Sequence, residues 1–225
     1  MIDFPETLIL KMLNNCVRRN SSISRLIFGV RIQGNRRIHW DFTTLALKDC
    51  LLQRVRPWHQ ILEVGTGPHA ILSIFLAKRV PCNIVACDIN EKYVINARKT
   101  AKLNAASIKV VWSDLFDNID NKFDVIFFNS IYIPRQVGKR LGIDKLHDRE
   151  TDWCGGETGI ETIDRFLRNA PPHVKENGEI LLGFNAKYLR EDLVVELCDD
   201  YGYNVKARCS TFLNPSRVLV IDRRQ

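Results

Sequence analysis

Glu63-Val64-Gly65-Thr66-Gly67-Pro68-His69 follows the apolar pair Ile61-Leu62 and leads into a second apolar run, Ala70-Ile71-Leu72. The pattern predicts a buried strand over 61–64, a glycine turn, and a helix packed on a sheet over about 70–79. Gly65 and Gly67 let the backbone pass close to a ligand in conformations that other residues resist. In open α/β sheets ligands bind outside the carboxyl ends of the strands, where such a turn lies. The turn alone does not choose the ligand. A dinucleotide fingerprint G-x-G-x-x-G would place its third small residue at position 70, and Ala70 satisfies it.

Upstream, Asp41 to Arg54 carries Leu45, Leu47, Leu51 and Leu52 at near-helical spacing, with Asp41 or Thr43 as N-cap and Pro57 beyond its end. Downstream, strands are predicted over 83–87, 108–112, 123–128, 179–184, 204–209 and 217–221. Helices are predicted over 91–104, 158–169 and 188–201. Thr158 followed by Glu161 has the spacing of a capping box, and Pro171-Pro172 closes that helix. Alternating strands and helices imply βαβ units and a mainly parallel sheet. The last two strands leave no room for a crossover helix and should pair antiparallel. The expected fold is therefore α/β: a doubly wound, mainly parallel seven-stranded sheet ending in a C-terminal antiparallel hairpin. The stretch 129–157 is expected to be a long irregular loop, a feature usually tied to function. Residues 1–40 are read as a basic N-terminal extension and 41–225 as the main domain.

The chain has 225 residues, 26% of them charged and 45% apolar, with a net charge of +7. No apolar run approaches the ~20 residues needed to span a bilayer, and Met1 to Lys11 lacks the layout of a signal peptide. A cytoplasmic location with no membrane partner is expected. Cys16, Cys50, Cys82, Cys87, Cys154, Cys198 and Cys209 contain no C-x-x-C pair, so they read as reduced thiols, several of them core fillers. His39, His59, His147 and His173 lack metal-ligand spacing, and no metal site is predicted. Arg18, Arg19, Arg25, Arg31, Arg36 and Arg37 form a basic segment. It is either a solvated face or a surface for RNA.

Chemistry downstream of the glycine turn narrows the ligand. Asp88, in Ala86-Cys87-Asp88-Ile89-Asn90, ends the second strand, where a carboxylate can accept both hydroxyls of a ribose and Ile89 lies beside it. Asp114 follows the third strand, in Ser113-Asp114-Leu115-Phe116. There a carboxylate can accept from an adenine amine while Leu115 or Phe116 packs on the ring. Glu63, Asp88 and Asp114 together put an acid at three successive strand ends. That suits a cationic nucleoside such as S-adenosylmethionine (SAM) better than a nicotinamide dinucleotide.

From about Trp40 onward the chain resembles the class I SAM-dependent methyltransferases, and within them the HemK-type enzymes that methylate a glutamine side chain of translation release factors. Phe127-Phe128-Asn129-Ser130-Ile131-Tyr132-Ile133-Pro134 is similar to that family's F-N-P-P-Y-I-P stretch. Trp153-Cys154-Gly155-Gly156-Glu157-Thr158-Gly159 with Asp164-Arg165-Phe166-Leu167 resembles the segment of its archaeal and eukaryotic branch. The resemblance implies SAM as cofactor, held by Thr44, Glu63, Gly65, Thr66, Gly67, Asp88, Ile89, Asp114, Leu115 and Asn129. It implies Asn129, Ser130 and Tyr132 as the catalytic set, a release-factor-like protein substrate, and a small activator protein as partner. Thr43-Thr44 resembles the family's threonine segment that closes over the cofactor, though a helix N-terminus is the slightly favoured reading of the pair.

The N-P-P-Y motif has a physical task. A planar amide is a poor nucleophile because its lone pair is delocalised. The asparagine oxygen and the next backbone carbonyl accept its two protons, and an aromatic ring at the fourth position stacks on the plane. Catalysis is then positioning and electrostatics. Here both prolines are replaced, by Ser130 and Ile131, which removes the restriction that proline puts on φ. N-methylation of a protein glutamine is the leading expectation. The alternatives are an exocyclic amine of an rRNA, tRNA or DNA base, a small metabolite, or SAM binding without catalysis. His69 is either next to the cofactor or a tolerated replacement of glycine. Trp153 is either a pocket wall or core.

Overall fold

A computed structural model describes residues 20–32, 40–210 and 214–224. Its central sheet has the strand order β3-β2-β1-β4-β5-β7-β6. The strands are β1 (Gln60–Val64), β2 (Asn83–Asp88), β3 (Lys109–Trp112), β4 (Phe123–Asn129), β5 (Val174–Asn185), β6 (Tyr203–Ser210) and β7 (Ser216–Arg223). The first five pair in parallel, while β7 runs antiparallel to both β5 and β6. The C-terminal hairpin is as expected, but it enters the sheet with β7 inside and β6 at the edge.

Strand alternation builds two cores. Ile61 of β1 with Val125 and Phe127 of β4 face one layer. Leu62, Val64, Ile126 and Phe128 face the other. The first layer holds the helices α1 (Ser21–Phe28), α2 (Phe42–Arg54), α3 (Ile71–Ala77) and α4 (Glu91–Leu103). After the short α5 (Arg135–Arg140), the second layer holds α6 (Glu161–Asn169) and α7 (Glu191–Asp200). Chain order moves outward from β1 to β3 and then returns to β4. The switch point between β1 and β4 therefore opens a crevice at the carboxyl ends of the strands.

Several boundaries differ from expectation for local reasons. Val174 pairs with Phe123, so β5 begins well before its apolar half; the polar Lys175-Glu176-Asn177 masks it in the sequence. The helix expected from Thr158 begins at Glu161, although the Glu161 half of the capping box is made, its carboxylate accepting from the backbone N–H of Thr158 and Gly159 at 2.9 Å each. The stretch 129–157 is not wholly irregular: it contains α5 and two short 3-10 turns. No helix among the described residues is long and apolar enough to cross a membrane.

The basic segment divides. Arg18, Arg19, Arg36 and Arg37 lie outside the described residues, as does Cys16. Arg31 is structural: its guanidinium donates to the carbonyl of Leu103 at 2.6 Å and its backbone N–H to Asn104 Oδ1 at 2.8 Å, satisfying the end of α4. Phe28 is fully buried edge-on to Trp40 and Phe75, which seats α1 on the core. Cys50, Cys87, Cys154 and Cys198 are buried free thiols.

Candidate functional site

The glycine turn is held by β2. Thr66 N–H donates to the carbonyl of Cys87 at 2.9 Å, and Gly67 N–H donates to Asp88 Oδ2 at 2.8 Å. The other Asp88 oxygen accepts from Asn90 N–H at 2.9 Å. Gly65 and Gly67 have φ of 66° and 65°, and a Cβ at Gly67 would meet open space. Position 67 is thus glycine for its torsion, and the space above it is open. Asp88 is buried, and that burial pushes its carboxyl up to about 6.

Glu63 points from β1 toward α3. Its Oε2 accepts from the Thr66 hydroxyl at 2.6 Å and from the Ser73 hydroxyl. Burial raises its carboxyl to about 7 against those hydrogen bonds, with the charge of Asp88 adding to the rise. The turn therefore carries two buried acids that ionise reluctantly without a cation nearby.

Asp114 and Leu115 lie beyond β3. Asp114 pairs with Arg165 of α6 at 2.8 Å, a half-exposed ion pair that exchanges easily. Leu115 is buried at a φ of 47°, a strained torsion of a kind that clusters at ligand sites. Ile89 is half-buried, and its carbonyl accepts from Trp112 Nε1 at 2.9 Å. Next to it, Asp152 accepts from the Asn90 amide and, at 3.0 Å, from the Tyr93 hydroxyl. The turn around Asp152 is thereby tied to the Asp88–Asn90 edge of the crevice.

Asn129 ends β4 in the middle of the crevice. Its Nδ2 donates to Asp41 Oδ1 at 3.3 Å and to Thr44 Oγ1 at 3.2 Å. Its Oδ1 is buried without a hydrogen-bond partner. Asp41 is the N-cap of α2: Oδ1 accepts from Thr44 N–H at 2.8 Å and the Thr44 hydroxyl at 2.9 Å, and Oδ2 accepts from the Tyr132 hydroxyl at 2.9 Å. Helix start, Asn129 and Tyr132 thus share one carboxylate. Thr44, Asn129 and Tyr132 are candidates from the sequence and Asp41 only a cap; Asn90 and Asp152, which the structure ties to the same crevice, are not among those candidates. A D-x-x-T spacing before the glycine turn was the available signal.

The missing prolines are replaced by hydrogen bonds. Ser130 donates to the carbonyl of Gly183 twice, from its N–H at 2.9 Å and its hydroxyl at 2.7 Å. A proline lacks both donors. Ser130→Ala should cost about 1 kcal/mol by urea unfolding, and Ser130→Pro clearly more, because Gly183 then loses both bonds. Equal stability of the proline variant would show that the clamp is dispensable.

Glycines bring the two motif segments together. A Cβ at Gly155 would lie 2.5 Å from the carbonyl of Ile131, and one at Gly159 would lie 2.5 Å from that of Tyr132. Tyr132 itself is buried, stacked on Tyr188 at 6.3 Å between centroids. Trp153 is core: it is buried against Gly138, where a Cβ has no room. His69 is buried too, with Nδ1 3.4 Å from the Thr100 hydroxyl of α4, which puts it on the helix side of the turn. A cavity of about 590 Å³ beside Trp58, Val80 and Lys109 lies at the amino ends of the strands, away from these groups.

Residues 37–136 match the family model described as the methyltransferase small domain. A putative protein N5-glutamine methyltransferase of Methanocaldococcus jannaschii is 39% identical over 120 residues, 53% of this chain and 58% of that protein. A release factor glutamine methyltransferase of Streptococcus pneumoniae is 29% identical over 156 residues, 64% of this chain and 56% of that protein. The chain spans a little over half the length of these relatives. Among solved structures, a methyltransferase from Pyrococcus furiosus has a TM-score of 0.64, covering 97% of this chain and 98% of its own at 20% identity. That likeness establishes the Rossmann-like fold seen here.

Proposed function

We propose that this chain, built around a methyltransferase domain, is a cytoplasmic SAM-dependent N-methyltransferase whose acceptor is a planar amide, the side chain of a protein glutamine. The observation that carries the reading is Asn129. Its amide is oriented by Asp41 and Thr44, and the buried oxygen is left as an unmet acceptor at the crevice. Such an oxygen costs stability unless a ligand donor meets it. The two protons of a substrate amide supply donors, one to Asn129 Oδ1 and one to the Ser130 carbonyl.

The residues fit the cofactor. Each Asp88 oxygen spends one acceptor site on a backbone N–H, leaving a lone pair on each for a ribose hydroxyl. Glu63 and Asp88 provide buried negative charge for a cationic ligand, and Gly67 leaves the turn open above its Cα. When bound, SAM supplies an electrophilic methyl group on its sulfonium. The chain holds the acceptor nitrogen in line with that methyl, and no general base is required. Glutamine in a release-factor-like protein is the favoured acceptor, in keeping with the two relatives' names.

Titration calorimetry with SAM and its demethylated product tests the cofactor. Micromolar binding is expected, and no binding of either would sink the reading. Asp88→Ala should weaken binding by roughly 1–3 kcal/mol. In the wild type, affinity should fall as pH drops through about 6, where Asp88 takes up a proton and loses acceptor sites. Affinity flat from pH 5 to 8 would remove Asp88 from the ribose site.

A further inference from the structure

Cys50 and Cys209 are 159 residues apart in the chain, yet their Sγ atoms lie 2.9 Å apart, closer than unbonded sulfurs usually rest. Cys50 is buried in α2, while Cys209 is half-buried in the edge strand β6. A bulge creates the meeting. Val205 stands opposite Ile221, and both belong to the core layer of α6 and α7. The register then shifts at Lys206, so that Ala207 faces Val220 and Cys209 faces Val218 on the layer of α2. Without the extra residue, strand alternation would point Cys209 away from the helix.

Arg54 lies one turn beyond Cys50 and forms an ion pair with Glu179 at 2.8 Å. Its guanidinium acts on Cys50 to favour the thiolate, but burial and the neighbouring Cys209 outweigh it and push the Cys50 thiol up to about 12. The two sulfurs are therefore unequal. Cys209 has solvent access, and Cys50 waits behind it as a protonated thiol.

We propose that Cys50 and Cys209 are a redox-modification site: a peroxide converts them to an intramolecular disulfide that staples α2 to the edge of the sheet. The thiolate of Cys209 attacks a peroxide oxygen, the O–O bond breaks, and Cys209 becomes a sulfenic acid while the peroxide leaves as hydroxide, protonated to water. The Cys50 sulfur then attacks the Cys209 sulfur. The S–O bond breaks, and the leaving hydroxide takes the Cys50 proton as a second water. Two thiols have lost two electrons and hydrogen peroxide has gained them. A dithiol reductant reverses the step by exchange. The stapled helix is the one whose first turn, Asp41 to Thr44, holds Asn129. The chemistry does not depend on methyl transfer.

The full chain is treated with hydrogen peroxide, alkylated, digested without reduction and mapped by mass spectrometry. The expected product is one peptide pair joined through Cys50 and Cys209, an intact mass lower by two hydrogens, and recovery with dithiothreitol. Cys50→Ser should leave a sulfenic acid on Cys209 that dimedone traps, and Cys209→Ser should leave Cys50 unmodified. Oxidised wild type should melt roughly 5 °C or more above its reduced form, since the bond closes a long loop in the unfolded chain, while oxidant should leave the melting of Cys50→Ser unraised. Oxidation confined to other cysteines, or dimers joined through Cys209, would overturn the proposal. Equal melting of the oxidised and reduced wild type would refute the staple.

Discussion

Asn129→Ala is expected to cut methyl transfer to a translation release factor by roughly 10²–10³-fold, the usual cost of one preorganised hydrogen-bonding group at a reacting centre. Affinity for SAM should stay within about twofold. The split follows from where each atom points. The Nδ2 is spent on Asp41 and Thr44, and only the buried Oδ1 is left to face an acceptor. Asn129→Asp should be no better. Its second oxygen would face Asp41 Oδ1, which now accepts from Nδ2 at 3.3 Å, and two acceptors would replace a donor–acceptor pair. Turnover is measured with methyl-labelled SAM under single-turnover conditions, and affinity by calorimetry on the same preparations. Parallel losses in both would make Asn129 a structural residue and remove the main support for an amide acceptor.

The sheet was legible in the sequence because buried parallel strands appear as unbroken apolar runs, as in Ile61-Leu62 and Val125-Ile126-Phe127-Phe128. The glycine turn and Asp88 were legible because they are neighbours of strand ends. What was not legible is set by contacts between distant residues. Asp41 reads locally as a helix cap, and its second task emerges only when β4 brings Asn129, 88 residues away, to its side. The place of β7 inside β6 depends on which edge the hairpin meets. The same holds for Cys209: one extra residue at Lys206 decides which face it joins, and no local pattern marks it. The Ser130-Ile131 pair looked like lost rigidity. The structure instead supplies two hydrogen bonds to Gly183 that proline cannot make.

Glu63→Gln is expected to stabilise the ligand-free protein at pH 8 by up to about 3 kcal/mol. The sign follows from linkage. Burial raises the Glu63 carboxyl from its ordinary 4.5 to about 7 in the folded chain. Between those values the folded protein keeps a proton that the unfolded chain has released. Stability therefore falls as pH rises through the interval and levels off above about 7. The glutamine oxygen still accepts from Thr66 and Ser73, so the hydroxyl network survives without the charge. The variant should retain only the shallower decline due to Asp88, whose carboxyl rises to about 6. Urea unfolding from pH 5 to 8.5 measures both slopes. A variant weaker than wild type across the whole range would mean that the acid is kept for its geometry and not for its charge. A cationic ligand at the open glycine turn would offset the cost of that buried carboxylate. Cofactor binding near pH 7 should accordingly release protons in the wild type and fewer in Glu63→Gln. Calorimetry in buffers of different ionisation enthalpy reads that difference directly, and equal release from both proteins would place the cation away from Glu63.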